Sequence, residues 1–312
     1  MRASLAVLLA LALATCRKNI PLPDVTAPRD EATVARGAYL GTTLCSCVTC
    51  HSPRDWSKWS GPADLAHAMS GGENVGPLDG LGAGSVLHPP NLTPHRLSNW
   101  TDAELVRAIT TGMGRGNHAL FPAMPYVEYR ALALDDALAI VAWLRTLEPV
   151  ATETPPRALP FPLELVVNAI PKPVVLRERA PHPDDADYGE YVTHIAGCVW
   201  CHTEVDGRGT MVAGRQFAGG HAFTMRAPAN GEVFSANLTP DPETGLGKVS
   251  KQDFLARFHG VDPATLPPGA PNSVMMWSQY HRVSDQDLGA IYDYLRTLPP
   301  QVHQVTKFQL NE

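Results

Sequence analysis

Aromatic side chains are scarce: Phe, Trp and Tyr together make up 7% of the 312 residues. A chain of this length with so few rings fills its interior with aliphatic side chains, or with a large planar group that is not a side chain. Long hydrophobic runs are scarcer still. A membrane-spanning helix needs roughly 20 apolar residues, and beyond the N-terminus Leu163–Ile170 is apolar but short, with prolines on both sides. An excess of basic charge is also missing. The formal net charge of −6 argues against a nucleic-acid polyanion as partner. The apolar share of 44% is ordinary for a globular protein, and the length suggests about two domains.

Against these absences stands a five-residue motif that occurs twice. Cys47-Val-Thr-Cys50-His51 and Cys198-Val-Trp-Cys201-His202 lie 151 residues apart. Two cysteines separated by two residues can each add to one vinyl group of a haem, and the histidine that follows is placed to ligate its iron; the spacing is that of c-type haem attachment. Two other uses of CxxC fail on supply. A structural zinc site needs four Cys or His ligands, usually in paired clusters, and neither copy has a second CxxC or HxxxH nearby. A thioredoxin-like pair sits in a βαβ pattern, which neither copy has. The expected cofactors are therefore two covalently bound haem c groups, on Cys47/Cys50 and Cys198/Cys201.

The motifs sit in a tandem repeat. Gly37-Ala-Tyr-Leu40 and Gly189-Glu-Tyr-Val192 precede them; Gly71-Gly72 and Gly219-Gly220 follow; Asn-Leu-Thr-Pro recurs at Asn91–Pro94 and Asn237–Pro240; Leu-Arg-Thr-Leu closes each copy at Leu144–Leu147 and Leu295–Leu298. The expected layout is a signal over 1–15, a tether over 16–30, one haem domain over 31–148 and a Pro-rich strap over 149–186. A second haem domain follows over 187–300, with a tail over 301–312. Helices are expected over Glu31–Leu44, from the Thr101-Asp-Ala-Glu104 capping box to Thr110, from Ser250 to Gly260, and over Asp135–Leu147 and Ser284–Leu298. The Gly- and Pro-rich segments 52–98 and 203–248 read as loops that wrap the porphyrin. The fold class this predicts is all-α.

A methionine lies 73 residues after each histidine: Met124 after His51, and Met275 after His202. The equal spacing marks them as the sixth iron ligands, opposite His51 and His202, with Met276 an alternative to Met275. A thioether raises the potential relative to bis-histidine ligation. Core packing is the commoner use of methionine, and His118, His221, His259 and His281 are weaker ligand candidates. The Asn-Leu-Thr-Pro repeats read as turns that hold a loop over the haem edge or bond a propionate. Cys45 is a spare thiol, able to pair with Cys16 in an oxidising compartment.

Arg2 and the apolar run Leu5–Ala14 fit a secretory signal, in keeping with haem attachment outside the bacterial inner membrane. Leu13-Ala14-Thr15-Cys16 resembles a lipobox, which would leave Cys16 lipidated and the protein anchored on the periplasmic side of the membrane. Ala12-Leu13-Ala14 is the competing cleavage site and would release a soluble periplasmic protein.

Taken together, GAYL, CxxCH, GG, NLTP, FPAMPY and the LRTL helix resemble the cytochrome c subunit of membrane-bound alcohol and aldehyde dehydrogenases over residues 31–300. The resemblance implies an electron carrier rather than an enzyme, taking electrons from a dehydrogenase and passing them towards quinone, a cytochrome or a terminal oxidase. Two departures are visible. Such subunits commonly carry three haem domains and a C-terminal membrane helix, whereas this sequence has two motifs and ends at Glu312; and Met276 stands where the family has a proline after the ligand. The alternative is a dihaem peroxidase, against which stands a methionine candidate in both halves. A dihaem sensor or ligand-binding protein is a further alternative.

Overall fold

Proline and glycine decide where regular structure stops. Proline lacks the N–H that a helix interior requires, and the chain has 29 prolines and 25 glycines. The computed structural model describes residues 19–77, 80–207, 209–226, 230–261, 266–267 and 269–311. The expected signal and Cys16 lie outside the described residues. The α-helices are α1 (Glu31–Thr42), α2 (Cys47–His51), α3 (Pro94–Leu97), α4 (Asp102–Thr111), α5 (Leu134–Leu144), α6 (Leu163–Val166), α7 (Tyr188–Ile195), α8 (Cys198–Cys201), α9 (Lys251–His259), α10 (Trp277–Tyr280) and α11 (Asp285–Thr297). Three short strands are β1 (Ala222–Thr224), β2 (Gly231–Phe234) and β3 (Phe308–Leu310).

The all-α expectation is overturned. Helix accounts for only 34% of the chain, and the strands form an antiparallel sheet in the order β1-β2-β3, with Val233 opposite Phe223 on one side and Phe308 on the other. The class is mixed and largely irregular. Two strands fall inside 203–248, where Gly and Pro masked them, and segments of three or four residues are too short to display a period of two. The sheet carries its own small core, in which Met225 and Val233 pack with Phe223, Val274 and Phe308.

The helix signals, by contrast, hold locally. Thr101 caps α4 through a complete capping box and Gly112 ends it at φ 76°. Ser250 and Ser284 accept the N3 amides of α9 and α11 in the same way.

The chain divides into two compact units, neither of them continuous in sequence. One comprises the chain to Ala38 with Asn74–Arg179; the other comprises Tyr39–Glu73 with Ala180–Glu312. In the first, α1 meets α5 at Gly37, where a Cβ would overlap the Ala139 carbonyl oxygen. Arg36 makes a two-pronged ion pair with buried Asp136, both contacts at 2.8 Å. Asp102 ties the N-terminal segment down, accepting from the Ala27 amide (3.0 Å) and from Arg29 and Arg145. The Pro-rich stretch is packed here: Val86 and Ala158 exchange backbone hydrogen bonds, Arg157 donates to the Ala119 carbonyl, and Val167 is buried.

In the second unit, α7 meets α11 at Gly189, where a Cβ would lie 2.5 Å from the Ala290 carbonyl oxygen. Asp287 on α11 is buried and accepts from both Tyr188 and Tyr39. α9 packs through Phe254 and Phe258 against Tyr292, Trp277 and Tyr280. The Asn-Leu-Thr-Pro turns do the same work in each unit. The Asn91 side chain accepts from Thr93 and donates to the Val150 and Thr152 carbonyls, while Asn237 accepts from Thr239 and donates to the Gln301 carbonyl. Each fastens its loop to the chain that leaves the closing helix.

Candidate cofactor sites

Each CxxCH forms one turn of helix, and that explains its spacing. Residues three and four apart share a helix face, so Cys47, Cys50 and His51 present together on α2, as do Cys198 and Cys201 on α8 with His202 at its end. Each turn is entered through a left-handed residue, Ser46 (φ 46°) or Gly197 (φ 68°). The amide of the first glycine of each Gly-Gly pair then donates to the motif histidine's carbonyl: Gly71 to His51 (2.9 Å) and Gly219 to His202 (2.8 Å). Burial, and secondarily Cys50, pushes the Cys47 thiol up to about 12, so it stays neutral at physiological pH.

His202 is the most completely specified of the candidate ligands. Its Nδ1 lies 2.8 Å from the Ala236 carbonyl oxygen. A carbonyl only accepts, so Nδ1 carries the proton and Nε2 keeps its lone pair, the arrangement in which imidazole binds a metal. Burial lowers the His202 pKa, with the Ala236 carbonyl opposing and His221 adding to the effect; a neutral ring is what ligation needs. Ala236 immediately precedes the second Asn-Leu-Thr-Pro, so the turn that fastens the loop also aims the histidine. Around this turn, Trp200 of the motif meets His221 edge-on (5.3 Å between centroids), and His221 stacks on Phe223 at 4.2 Å. The His221 Nδ1 is committed to the Trp200 carbonyl at 3.1 Å.

The two methionine loops share one backbone device. The Tyr126 amide donates to the Met124 carbonyl at 2.8 Å, and the Trp277 amide to the Met275 carbonyl at 2.8 Å. One residue on, the Pro125 carbonyl accepts from Glu128 and Tyr129, and the Met276 carbonyl accepts from Gln279 and Tyr280. Met275 therefore corresponds to Met124, and Met276 to Pro125. Val274, next to Met275, packs on the sheet core with Phe223, which brings that loop into the neighbourhood of Trp200 and His221. In the first unit, fully buried Tyr126 fits against Gly112, and Arg107 donates to the Met113, Gly114 and Ile20 carbonyls. Cys47, Cys50, His51, Cys198, Cys201, His202 and Met275 all lie in the second unit, and Met124 lies in the first. Of the weaker candidates, His118 is exposed, and His259 has both ring nitrogens engaged, by the His281 carbonyl and Asp285.

Sequence reasoning missed a cationic cluster beside the first motif. The Arg54 guanidinium lies 3.9 Å from the centre of the Trp56 ring and that of Arg226 5.4 Å from it, while Trp56 Nε1 donates to Glu73 at 3.0 Å. Burial lowers the Arg54 pKa, with nearby Cys50 and Glu73 opposing. Arg226 Nε is buried and faces the Glu73 carboxylate at 3.5 Å, an ion pair that does not reach hydrogen-bond geometry. Arg54 and Trp56 have no echo after the second motif, where Glu204 and Asp206 follow His202; the repeat therefore gave no signal for them. Tyr280 was missed for a similar reason. Its hydroxyl donates to the Ala196 carbonyl at 2.6 Å and lies 3.5 Å from that of Leu44, the turns that lead into the two motifs. Burial, followed by Cys198, Cys201 and Cys45, raises its pKa well above the usual tyrosine value.

The donor set fits haem c. Each turn offers two cysteine sulfurs and an imidazole on one face, and a tautomer-fixed histidine serves the second.

No family model matches the chain. It is 27% identical over 295 residues to the fructose dehydrogenase cytochrome subunit of Gluconobacter japonicus, a match covering 89% of this chain and 55% of that protein. It is 26% identical over 284 residues to the cytochrome c subunit of alcohol dehydrogenase (quinone) from Gluconobacter oxydans, covering 86% and 55%. A diheme cytochrome c-type protein of Cereibacter sphaeroides is 29% identical over 229 residues, covering 65% of this chain and 73% of that protein. The chain thus spans little more than half the length of the first two relatives. Over most of its own length, however, it is homologous to the cytochrome c subunits of dehydrogenases.

Proposed function

We propose that this chain is an electron-transfer subunit that works with a dehydrogenase and holds two covalently attached haem c groups, with no substrate chemistry of its own. The observation that carries the reading is the pair of CxxCH turns in a chain homologous to dehydrogenase cytochrome c subunits. The cysteine sulfurs would hold each haem through thioether bonds to its vinyl groups. Cys47 and Cys50 take one haem, Cys198 and Cys201 the other.

When bound, the haem supplies the one-electron couple of its iron. The protein's part is to bind, orient and tune. His51 and His202 present imidazole nitrogens; the Ala236 carbonyl holds the His202 proton on Nδ1. Met124 and Met275 would supply thioether ligands, a reading supported by their equal spacing and matching backbone turns. The signal and the Cys16 lipobox support export to the periplasmic side of a membrane, and electrons would leave for a respiratory acceptor.

The experiment is direct. Intact mass after extraction of free haem should retain two haem additions; one or none overturns the two-haem reading. The oxidised protein should show the weak far-red charge-transfer band of sulfur-ligated ferric haem. Met124→His and Met275→His should each remove about half of it and lower one potential. A high-spin ferric signal with saturable peroxide turnover would instead establish the peroxidase.

A further inference from the structure

We infer that Ser60, in the loop after the first CxxCH, positions Met275 as the axial ligand of the second haem. The inference rests on the reading of Met275 as that ligand. The Ser60 hydroxyl donates to the Met275 carbonyl at 2.6 Å and accepts from the Ser278 amide at 3.4 Å. It therefore grips the backbone on both sides of Met276 and Trp277. The Ser60 amide, in turn, donates to Asn272 Oδ1 at 2.9 Å, and the same oxygen accepts from the Ser273 amide at 2.8 Å. Asn272 Nδ2 returns to the Lys58 carbonyl at 3.1 Å. Both ends of the segment Asn272–Ser278 are thus tied to one turn of the other copy's loop.

That turn is rigid and built at a cost. Ser60 is fully buried and sits at φ 62°, a region that non-glycine residues seldom enter. Arg54 pins it, donating to the Ser60 and Gly61 carbonyls at 2.6 Å each. The need for such a clamp is visible in the repeat. In the first copy the residue after the methionine is Pro125, whose ring fixes φ. Met276 occupies that place in the second copy and has no such constraint. Hydrogen bonds from Ser60 replace the rigidity that the proline ring supplies in the first.

The test uses the full holoprotein and Ser60→Gly, because glycine tolerates the positive φ and only the hydroxyl is lost. About half of the far-red band should weaken and one haem potential should fall, while the band from the Met124 site and both covalent haems persist. Imidazole should displace the sulfur ligand at one haem at an about tenfold lower concentration, as loss of one hydrogen bond to the ligand's backbone implies. Asn272→Ser, which loosens the same segment from its other end, should show the same one-haem effect. If both variants keep the full band, both potentials and wild-type imidazole affinity, Ser60 is only structural and the inference falls, although Met275→His still halves the band. If Met275→His itself leaves the band intact, the ligand assignment fails instead.

Discussion

At the scale of single residues, polar side chains tie loops to helices, and Asp102 shows what that is worth. Burial alone would raise its pKa, but the Ala27 amide, the Arg145 hydrogen bond and the Arg29 and Arg145 charges outweigh burial and hold the carboxyl below its ordinary value. A folded value below the unfolded one, about 3.9, means the contribution is complete above the unfolded pKa and is lost as pH falls through the folded one. Asp102→Asn should therefore destabilise the protein at pH 7 by on the order of 1–3 kcal/mol. The gap between variant and wild type should close below about pH 4, as read by calorimetric Tm across a pH series. A gap that stays constant down to pH 2 would show that the charge of Asp102 plays no part.

At the scale of elements, close helix crossings set the frame. Gly37 lets α1 approach the Ala139 carbonyl, and Gly189 lets α7 approach that of Ala290. Gly189→Ala must push the two helices apart and should cost about 1–3 kcal/mol, seen as a lowered denaturation midpoint with an unchanged slope. An unchanged midpoint would mean that the crossing adjusts freely. Much at this scale was legible in the sequence. Capping boxes, stop glycines and the closing-helix periodicity placed α4, α9 and α11 within a residue or two, because caps and amphipathic faces are local. The sheet was not legible, since its described strands, 222–224, 231–234 and 308–310, are too short to display a period of two, and the third pairs only over long range. At the sites, the motif turns and histidines could be read directly. The Arg54–Trp56–Arg226 cluster and the Ser60 clamp could not, because each joins residues more than 150 positions apart.

At the scale of the whole molecule, the chain beyond its N-terminus has no described helix long and apolar enough to cross a membrane. The lipid that Cys16 is proposed to carry can be tested by itself. Metabolic labelling with an alkyne fatty acid should mark the wild type and spare Cys16→Ser. An unlabelled wild type that begins at Thr15 would show release into the periplasm instead. The two copies of the sequence repeat also differ in how each holds its closing helix. Corresponding acidic positions on the closing helices, Asp136 and Asp287, are both buried, yet one is answered by the Arg36 cation and the other by the phenols of Tyr188 and Tyr39. The two entry helices are therefore not interchangeable: exchanging them would put the Tyr188 phenol where Asp136 has a cation, and the Arg36 cation where Asp287 has a phenol.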